Sequence, residues 1–352
     1  MLKKITLFLC ILSAVLLFTG CWNTVPYIKP EVPAAHHGDK QFISAAQNNS
    51  PLWSYLQMRF REGRIHNPSV DELKSIQTTA NLTLIHSHAK HPRVTWLGHA
   101  STLVQYQNIN FLTDPHLTEF ASPLPLVGPK RLIPPALRVD QLPAIDFVVI
   151  SHNHYDHLDS KTVKALGNQT IWVVPLGLKL WMVDKGIDED RVIELDWWQK
   201  WSYIEGVEVI AAPSQHWSKR TPFDTNHTLW ASWHINIHGF KSWFAGDTGY
   251  NQEKFTAIGN QLGPHHLSLI PIGAYGPRYF MQPQHVDPQQ AIQIHKDVRA
   301  QFTIGIHWGT FALTHEPLLE PATLLKELLL SETIDGSFTT IKVGETQTVK
   351  LE

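Results

Sequence analysis

Four side chains able to bind a metal lie within six residues of each other in Ser151-His152-Asn153-His154-Tyr155-Asp156-His157. Neutral imidazole is the commonest metal ligand in proteins, and a carboxylate beside it adds the charge that a divalent cation attracts. The stretch closes Ala144–Ser151 (AIDFVVIS), a continuous apolar run of the kind expected for a strand buried on both faces. At the exit of such a strand His152 and His154 alternate and so point the same way, while Asp156 and His157 fall in the turn beyond. A cluster of this kind can begin two adjacent metal sites. The chain holds its own control in His86-Ser87-His88, which is also H-x-H. It lacks both the preceding apolar strand and the following Asp-His, and reads as surface.

Two metals need further ligands, and the expected strand ends supply them. His216 follows Val207–Ala212, Asp247 in Gly246-Asp247-Thr248-Gly249 follows Ser242–Ala245, and His307 follows Phe302–Ile306. Open α/β sheets place their sites at strand exits of this sort. A lone histidine at a strand end is more often structural; the ordered set is what points to chemistry. The 21 histidines fit such a site.

The elements that must position these residues are legible as well. Arg93–Gly98, Ser101–Gln107, Ile109–Thr113, Thr170–Pro175, Leu229–Ile237 and Leu267–Ile272 read as further strands. Helical patterns cover 159–167, 251–262, 287–297 and 317–330, and the alternation predicts a layered α/β fold. Upstream, Ser50 and Pro51 suit the start of a helix ending near Gly63, with Leu52, Trp53, Leu56 and Phe60 on the face expected to pack on the main domain. Residues 64–91 are polar and weakly periodic, and read as irregular. With 43 % hydrophobic and 17 % charged residues the chain is no disordered polymer. A net charge of −2 makes the whole chain no electrostatic match for nucleic acid.

The N-terminus reads as a targeting segment. Lys3 and Lys4 precede an apolar run over 5–18 that is short for a membrane span, and residues 1–20 have the layout of a signal peptide. The small residues before Cys21 resemble a bacterial lipoprotein cleavage site, which implies lipidation of Cys21 and an exported, membrane-anchored protein. By resemblance to the sorting rules of two-membraned bacteria, Trp22 in place of Asp points to the outer membrane. Cys10 lies inside the removed run, so the mature chain holds no disulfide. Pro26, Pro30 and Pro33 make Trp22 to about Gln41 an expected tether. The division expected is thus 1–20 leader, 21–90 tether and packing helix, 91–352 main domain.

The order H-x-H-x-D-H at 152–157, then His216, Asp247 and His307, resembles the ligand pattern of the metallo-β-lactamase superfamily. The resemblance implies a four-layer αββα sandwich with two metal ions at one edge. It assigns His152, His154 and His216 to one ion, Asp156, His157 and His307 to the other, and Asp247 as the bridge. WLGHAST (96–102), TDPHL (113–117), GPKR (128–131), HNHYDHLD (152–159), QHWSKRT (215–221), GDTGY (246–250), PIGAYGPR (271–278), QHVDP (284–288) and HWGTF (307–311) resemble, more narrowly, the N-acylphosphatidylethanolamine-hydrolysing phospholipase D family. That resemblance implies a phospholipid diester as substrate and carries phosphate or head-group contact onto Gln284 and His285. His285 also precedes an expected helix start, where backbone N–H groups favour an anion.

The chemistry expected is hydrolysis. Two divalent ions ~3.5–4 Å apart share a water and lower its pKa to about 7, which gives a nucleophile at neutral pH. Zinc is the default ion for an exported histidine-carboxylate site. Asp156 and Asp247 hold the ions and Asp247 also orients the nucleophile; Tyr155 either touches substrate or props the histidines. Lys219, Arg220 and Arg278 are candidates for phosphate contact. Lactone or carboxylic-ester hydrolysis is the alternative, and a non-enzymatic envelope lipoprotein is disfavoured by the complete ligand set. Core packing accounts for most of the 13 tryptophans, with a lipid groove as the other use. Cys21→Ser is expected to release the protein from membranes or to leave the leader uncut. Unchanged fractionation and unchanged mature mass would contradict lipidation.

Overall fold

The computed structural model describes residues 24–45, 58, 60–63, 68–124 and 126–351. The leader, Cys21 and most of the helix expected at 50–63 lie outside the described residues. Strands β1 (Arg93–Gly98), β2 (Ser101–Tyr106), β3 (Ile109–Thr113), β4 (Phe147–Val149), β5 (Ile171–Pro175) and β6 (Val192–Leu195) come first along the chain. They are followed by β7 (Lys200–Ile204), β8 (Val207–Ala212), β9 (Ser232–Ile237), β10 (Phe240–Phe244), β11 (Leu267–Pro271), β12 (Phe302–Ile306), β13 (Ser337–Thr339) and β14 (Thr346–Thr348). They form two seven-stranded sheets, ordered β14-β1-β2-β3-β4-β5-β6 and β13-β12-β11-β10-β9-β8-β7.

Each sheet is mixed. The hairpin strands β1, β2 and β3 are antiparallel, while β3 to β6 run parallel. In the second sheet β7 to β10 are antiparallel, and β10 to β13 parallel. Parallel strands need crossovers, and helices Ser160–Leu166 and Lys179–Asp184 provide them for the first sheet. Gln252–Gln261, Pro288–Asp297 and Glu320–Leu328 do so for the second.

The side-chain alternation of β4 shows how the layers are glued. Phe147 and Val149 join the core between the two sheets, together with Val209, Trp233, Ile235 and Phe244, while Trp243 points the other way, onto Phe255 of helix Gln252–Gln261. Val148 and Ile150 face the other way, into a second core with Val163, Leu166, Trp181 and Met182 from the covering helices. Both faces are buried, as the uninterrupted apolar run predicts. Helices thus flank both outer faces of the paired sheets, and the αββα sandwich is the fold.

Several expectations are revised. Residues 70–75 and 82–85 are short helices rather than irregular chain, each started by a side-chain cap, Ser69 on Glu72 N and Asn81 on Leu84 N. Phe60, placed by its spacing on a packed face, is 93 % exposed, while Met58 is buried. Residues 24–45 lie along the domain: Val25 and Phe42 are buried, and Phe42 N donates to the Asn226 carbonyl at 2.8 Å. Among the described residues no helix is long and apolar enough to cross a membrane.

Trp233 links this packing to the loop after β4. It is fully buried between the sheets, and its Nε1 donates to the Ile150 carbonyl at 2.9 Å. Trp233→Ala is expected to cost ~3–5 kcal/mol of stability. Trp233→Phe, which keeps a ring but leaves that carbonyl unpaired, should cost about 1–3 kcal/mol. Chemical denaturation monitored by circular dichroism measures both.

Candidate metal centre

The loop leaving β4 is pinned before it reaches its first histidine. Asp114, just past β3, is fully buried and accepts from Ser151 N at 2.6 Å, from Ser151 Oγ, and from His157 Nδ1 at 2.6 Å. Ser151 Oγ spends its proton on Asp114, so it can only accept from His152 Nδ1, 2.9 Å away. His152 therefore carries its proton on Nδ1 and turns a bare Nε2 inward. His216, beyond β8, is fixed in the same sense, because its Nδ1 donates to the Gln284 carbonyl at 3.0 Å. Its Nε2 then faces His154 Nδ1 at 3.3 Å, and His152 Nε2 lies 2.8 Å from the same atom.

Converging lone pairs repel unless a cation lies among them. Burial lowers the pKa of His154 to about 4 and of His216 to about 3, and holds His152 well below the usual imidazole value. All three are neutral at pH 7, as metal ligands must be. His152, His154 and His216 therefore fit one cation.

The second group sits against the first. His157 Nε2 and His307 Nε2 are 3.2 Å apart, and each is 3.1 Å from an oxygen of Asp247. Asp156 Oδ2 lies 3.4 Å from His157 Nε2 and 3.5 Å from His307 Nε2. Asp247 also reaches toward the first group, at 3.9 Å from His152 and 3.8 Å from His216. Among the described residues it is the one carboxylate within 4 Å of histidines from both groups. Burial opposes charge on His307, but Asp247 and Asp156 outweigh it and push the pKa up to about 9. His157 is raised well above the usual value against the same burial cost. Asp156 and Asp247 remain ionised despite burial because His157 and His307 face them.

All seven ligand-type residues named from the sequence thus converge where β4, β8, β10 and β12 end. His86 and His88 stay apart on the surface, bonded to the Gln141 carbonyl and Asn108. Two participants escaped the sequence reading. His99 Nε2 lies 2.9 Å from Asp156 Oδ2, and its carbonyl accepts from His307 N at 3.0 Å. Asp114 is the other. Both lie within the quoted blocks WLGHAST and TDPHL, but in tight turns, where a single polar residue carries no periodic signal. His99, Asp114 and His307 all adopt positive φ, at 56°, 33° and 62°. Gly246, at φ 60°, needs its missing side chain: a Cβ there would come within 2.5 Å of Ser151 Cβ.

The residues proposed for substrate contact divide. His285 lies beside the centre, its Nδ1 4.0 Å from Asp247 Oδ2, buried and without a hydrogen-bond partner. It stands two residues ahead of the helix cap, which Asp287, accepting from Gln290 N, already fills. Gln284 serves His216 through its carbonyl, and its amide faces Met281 Sδ at 3.7 Å. Tyr155 acts as a prop, its hydroxyl donating to the Arg220 carbonyl at 2.9 Å.

The two arginines are clamps rather than free phosphate ligands. Arg220 is buried between the rings of Tyr155 and Trp181 and donates to the carbonyls of Asn153 and Leu158, which sets the shape of the 152–157 loop. Arg278 ties the His285 carbonyl, Asp287 and Gln290 together. Lys219 enters the network through its backbone N–H, which donates to Asn153 Oδ1.

A cation entering the second group has to displace the His307 proton. Zinc uptake at pH 7 is therefore expected to release protons, with apparent affinity rising as pH climbs toward about 9. Calorimetry in buffers of different ionisation heat reads the proton count. Asp114→Asn, which removes the partner of His157 and Ser151, should weaken metal binding ~10–100-fold in a chelator competition. An unchanged affinity would remove Asp114 from the centre.

Comparison with known proteins agrees with this geometry. Residues 109–308 match the model of the beta-lactamase superfamily domain. The chain is 44 % identical over 309 residues to N-acyl-phosphatidylethanolamine-hydrolyzing phospholipase D 1 of Caenorhabditis elegans, covering 84 % of this chain and 87 % of that one. It is 37 % identical over 241 residues to the mitochondrial enzyme of the same name from Saccharomyces cerevisiae, covering 66 % of this chain and 51 % of that one. Among solved structures, the metallo hydrolase Igni18 of Ignicoccus hospitalis superposes with a TM-score of 0.55 at 19 % identity, over 74 % of this chain and 99 % of that one. The chain belongs to the metallo-β-lactamase superfamily, as a metal-dependent hydrolase close to the N-acylphosphatidylethanolamine-hydrolysing phospholipases D.

Proposed function

We propose that this protein is a dinuclear phosphodiesterase of the phospholipase D type, acting on N-acylphosphatidylethanolamine or a closely related phospholipid. What carries the reading is the 44 % identity to a phospholipase of that name, in a chain whose seven ligand-type residues all converge. His152, His154 and His216 would hold one ion and Asp156, His157 and His307 the other, with Asp247 between them and zinc the expected metal. Two such ions supply a nucleophilic water at neutral pH and draw charge from a phosphoryl oxygen. A substrate that resides in a bilayer accords with the proposed lipid anchor at Cys21 and a location in the cell envelope.

The protein's own residues divide the remaining work. Asp114 and Ser151 fix the tautomers of His157 and His152, and the Gln284 carbonyl fixes that of His216. Asp247 accepts from His157 and His307 and lies 3.8–3.9 Å from the bare Nε2 atoms of His216 and His152, so it orients whatever lies between the two histidine groups. His285 is neutral at pH 7, its pKa lowered to about 3 by burial against the pull of Asp247. A neutral ring with an unspent nitrogen can hydrogen-bond a phosphate oxygen or hold the proton that the leaving oxygen needs.

Incubation of the purified protein with N-acylated phosphatidylethanolamine, ordinary phospholipids and lactones, with products identified by mass, tests the reaction. Phosphatidic acid and N-acylethanolamine are expected; turnover of lactones or carboxylic esters alone would overturn the proposal. His285→Ala should keep both metals and lower phosphodiester turnover more than hydrolysis of a small neutral ester. A loss of ~10²–10⁴ in kcat and kcat/KM together would mark proton transfer, and a rise in KM a binding contact.

A further inference from the structure

A second histidine-carboxylate cluster lies away from the centre, where residues 24–45 meet the domain. Asp196 follows β6, and both of its oxygens are engaged from the N-terminal segment. His36 Nε2 is 2.6 Å from Oδ1 and His37 Nε2 is 2.9 Å from Oδ2. The side chains of His36, His37 and Asp196 are only 14 %, 2 % and 13 % exposed.

The local fold presents both rings by design of a tight turn. His37 and Phe42 form an antiparallel bridge, and Ile43 N donates to the His36 carbonyl at 2.9 Å. Gly38 is required in the turn, since a Cβ there would meet the Gln41 carbonyl oxygen at 2.4 Å. Outside the turn, the His36 ring stacks on Trp197 at 4.1 Å between centroids. On the domain side Asp196 is held by its neighbours, accepting from Trp197 N at 2.7 Å, while its own N–H donates to Gln199 Oε1 at 2.9 Å.

His37 carries the decisive detail. Its Nδ1 donates to the Val32 carbonyl at 3.0 Å, and a carbonyl can only accept. In the neutral ring Nε2 is then a bare lone pair. It is buried, makes no aligned hydrogen bond, and nevertheless faces a carboxylate oxygen at 2.9 Å. Two electron-rich atoms in that relation need a positive charge between them. A backbone carbonyl on the far nitrogen is also the usual partner of a histidine that binds metal through its other nitrogen. Two imidazoles and one carboxylate, with a fourth position open to water, make a donor set suited to Zn²⁺.

We propose that His36, His37 and Asp196 form a separate structural site for a divalent transition metal, which staples the N-terminal segment to the domain. The site is independent of the hydrolytic centre and needs no substrate.

The test is a zinc titration of the full chain, followed by desalting and elemental analysis. Wild type is expected to hold one more equivalent than Asp196→Asn, with hydrolytic activity the same in both. Asp196→Asn is nearly isosteric and can still accept from Trp197 N. His37→Gln provides a second variant with the same expected loss. Zinc should also slow proteolysis within residues 24–45 in wild type and not in either variant. Equal metal content in wild type and the variants, with no zinc-dependent protection, would overturn the site and leave a plain ion pair.

Discussion

The buried carboxylate of Asp114 is the interaction on which the centre depends. It sits where β3 ends and reaches across to the end of β4, taking hydrogen bonds from Ser151 and His157. An ionised carboxylate out of water is costly unless every lone pair is used. Here the compensation is structural, because the groups that satisfy it are the ones that must be aimed. Through Ser151 its influence passes to His152, so one side chain determines which nitrogens of two histidines face inward. The same economy recurs in the second sheet, where the Gln284 carbonyl sets His216.

The charges of the centre are balanced among themselves. Three neutral imidazoles lie on one side of Asp247, and two protonated ones on the other, paired with Asp247 and Asp156. Only a site built from several strand ends can arrange this, since no single loop holds enough ligands. The first sheet contributes His152, His154, Asp156 and His157, and the second His216, Asp247 and His307. The large core between the sheets, with Trp233 and Phe244 at its heart, keeps these two sets in register.

Much of this was legible in the sequence, for identifiable reasons. An apolar run that ends in clustered ligand residues combines two independent signals, and β4 with its loop has both. The strand ends carrying His216, Asp247 and His307 repeat that pattern more weakly. What was not legible is whatever depends on a distant partner. Arg220 and Arg278 look like phosphate ligands in the chain but are spent on carbonyls of the loops they clamp. β7 (KWSYI) alternates exposed and half-buried residues at the edge of its sheet and has no apolar run to reveal it. The Pro-rich start reads as a tether, yet buried Val25 and Phe42, with His36 and His37 on Asp196, seat it on the domain.

The left-handed backbone at His99, Asp114 and His307 has a consequence for how such a protein can change over generations. At each position the main chain would rest more easily with glycine, by on the order of 1–3 kcal/mol where the strain is fully expressed. Each therefore keeps its side chain against the pull of conformational energy. A glycine at any of them would relax the main chain but strip away the partner that Asp156, His157 or Asp247 faces, so the strained residue lasts only as long as that partnership matters.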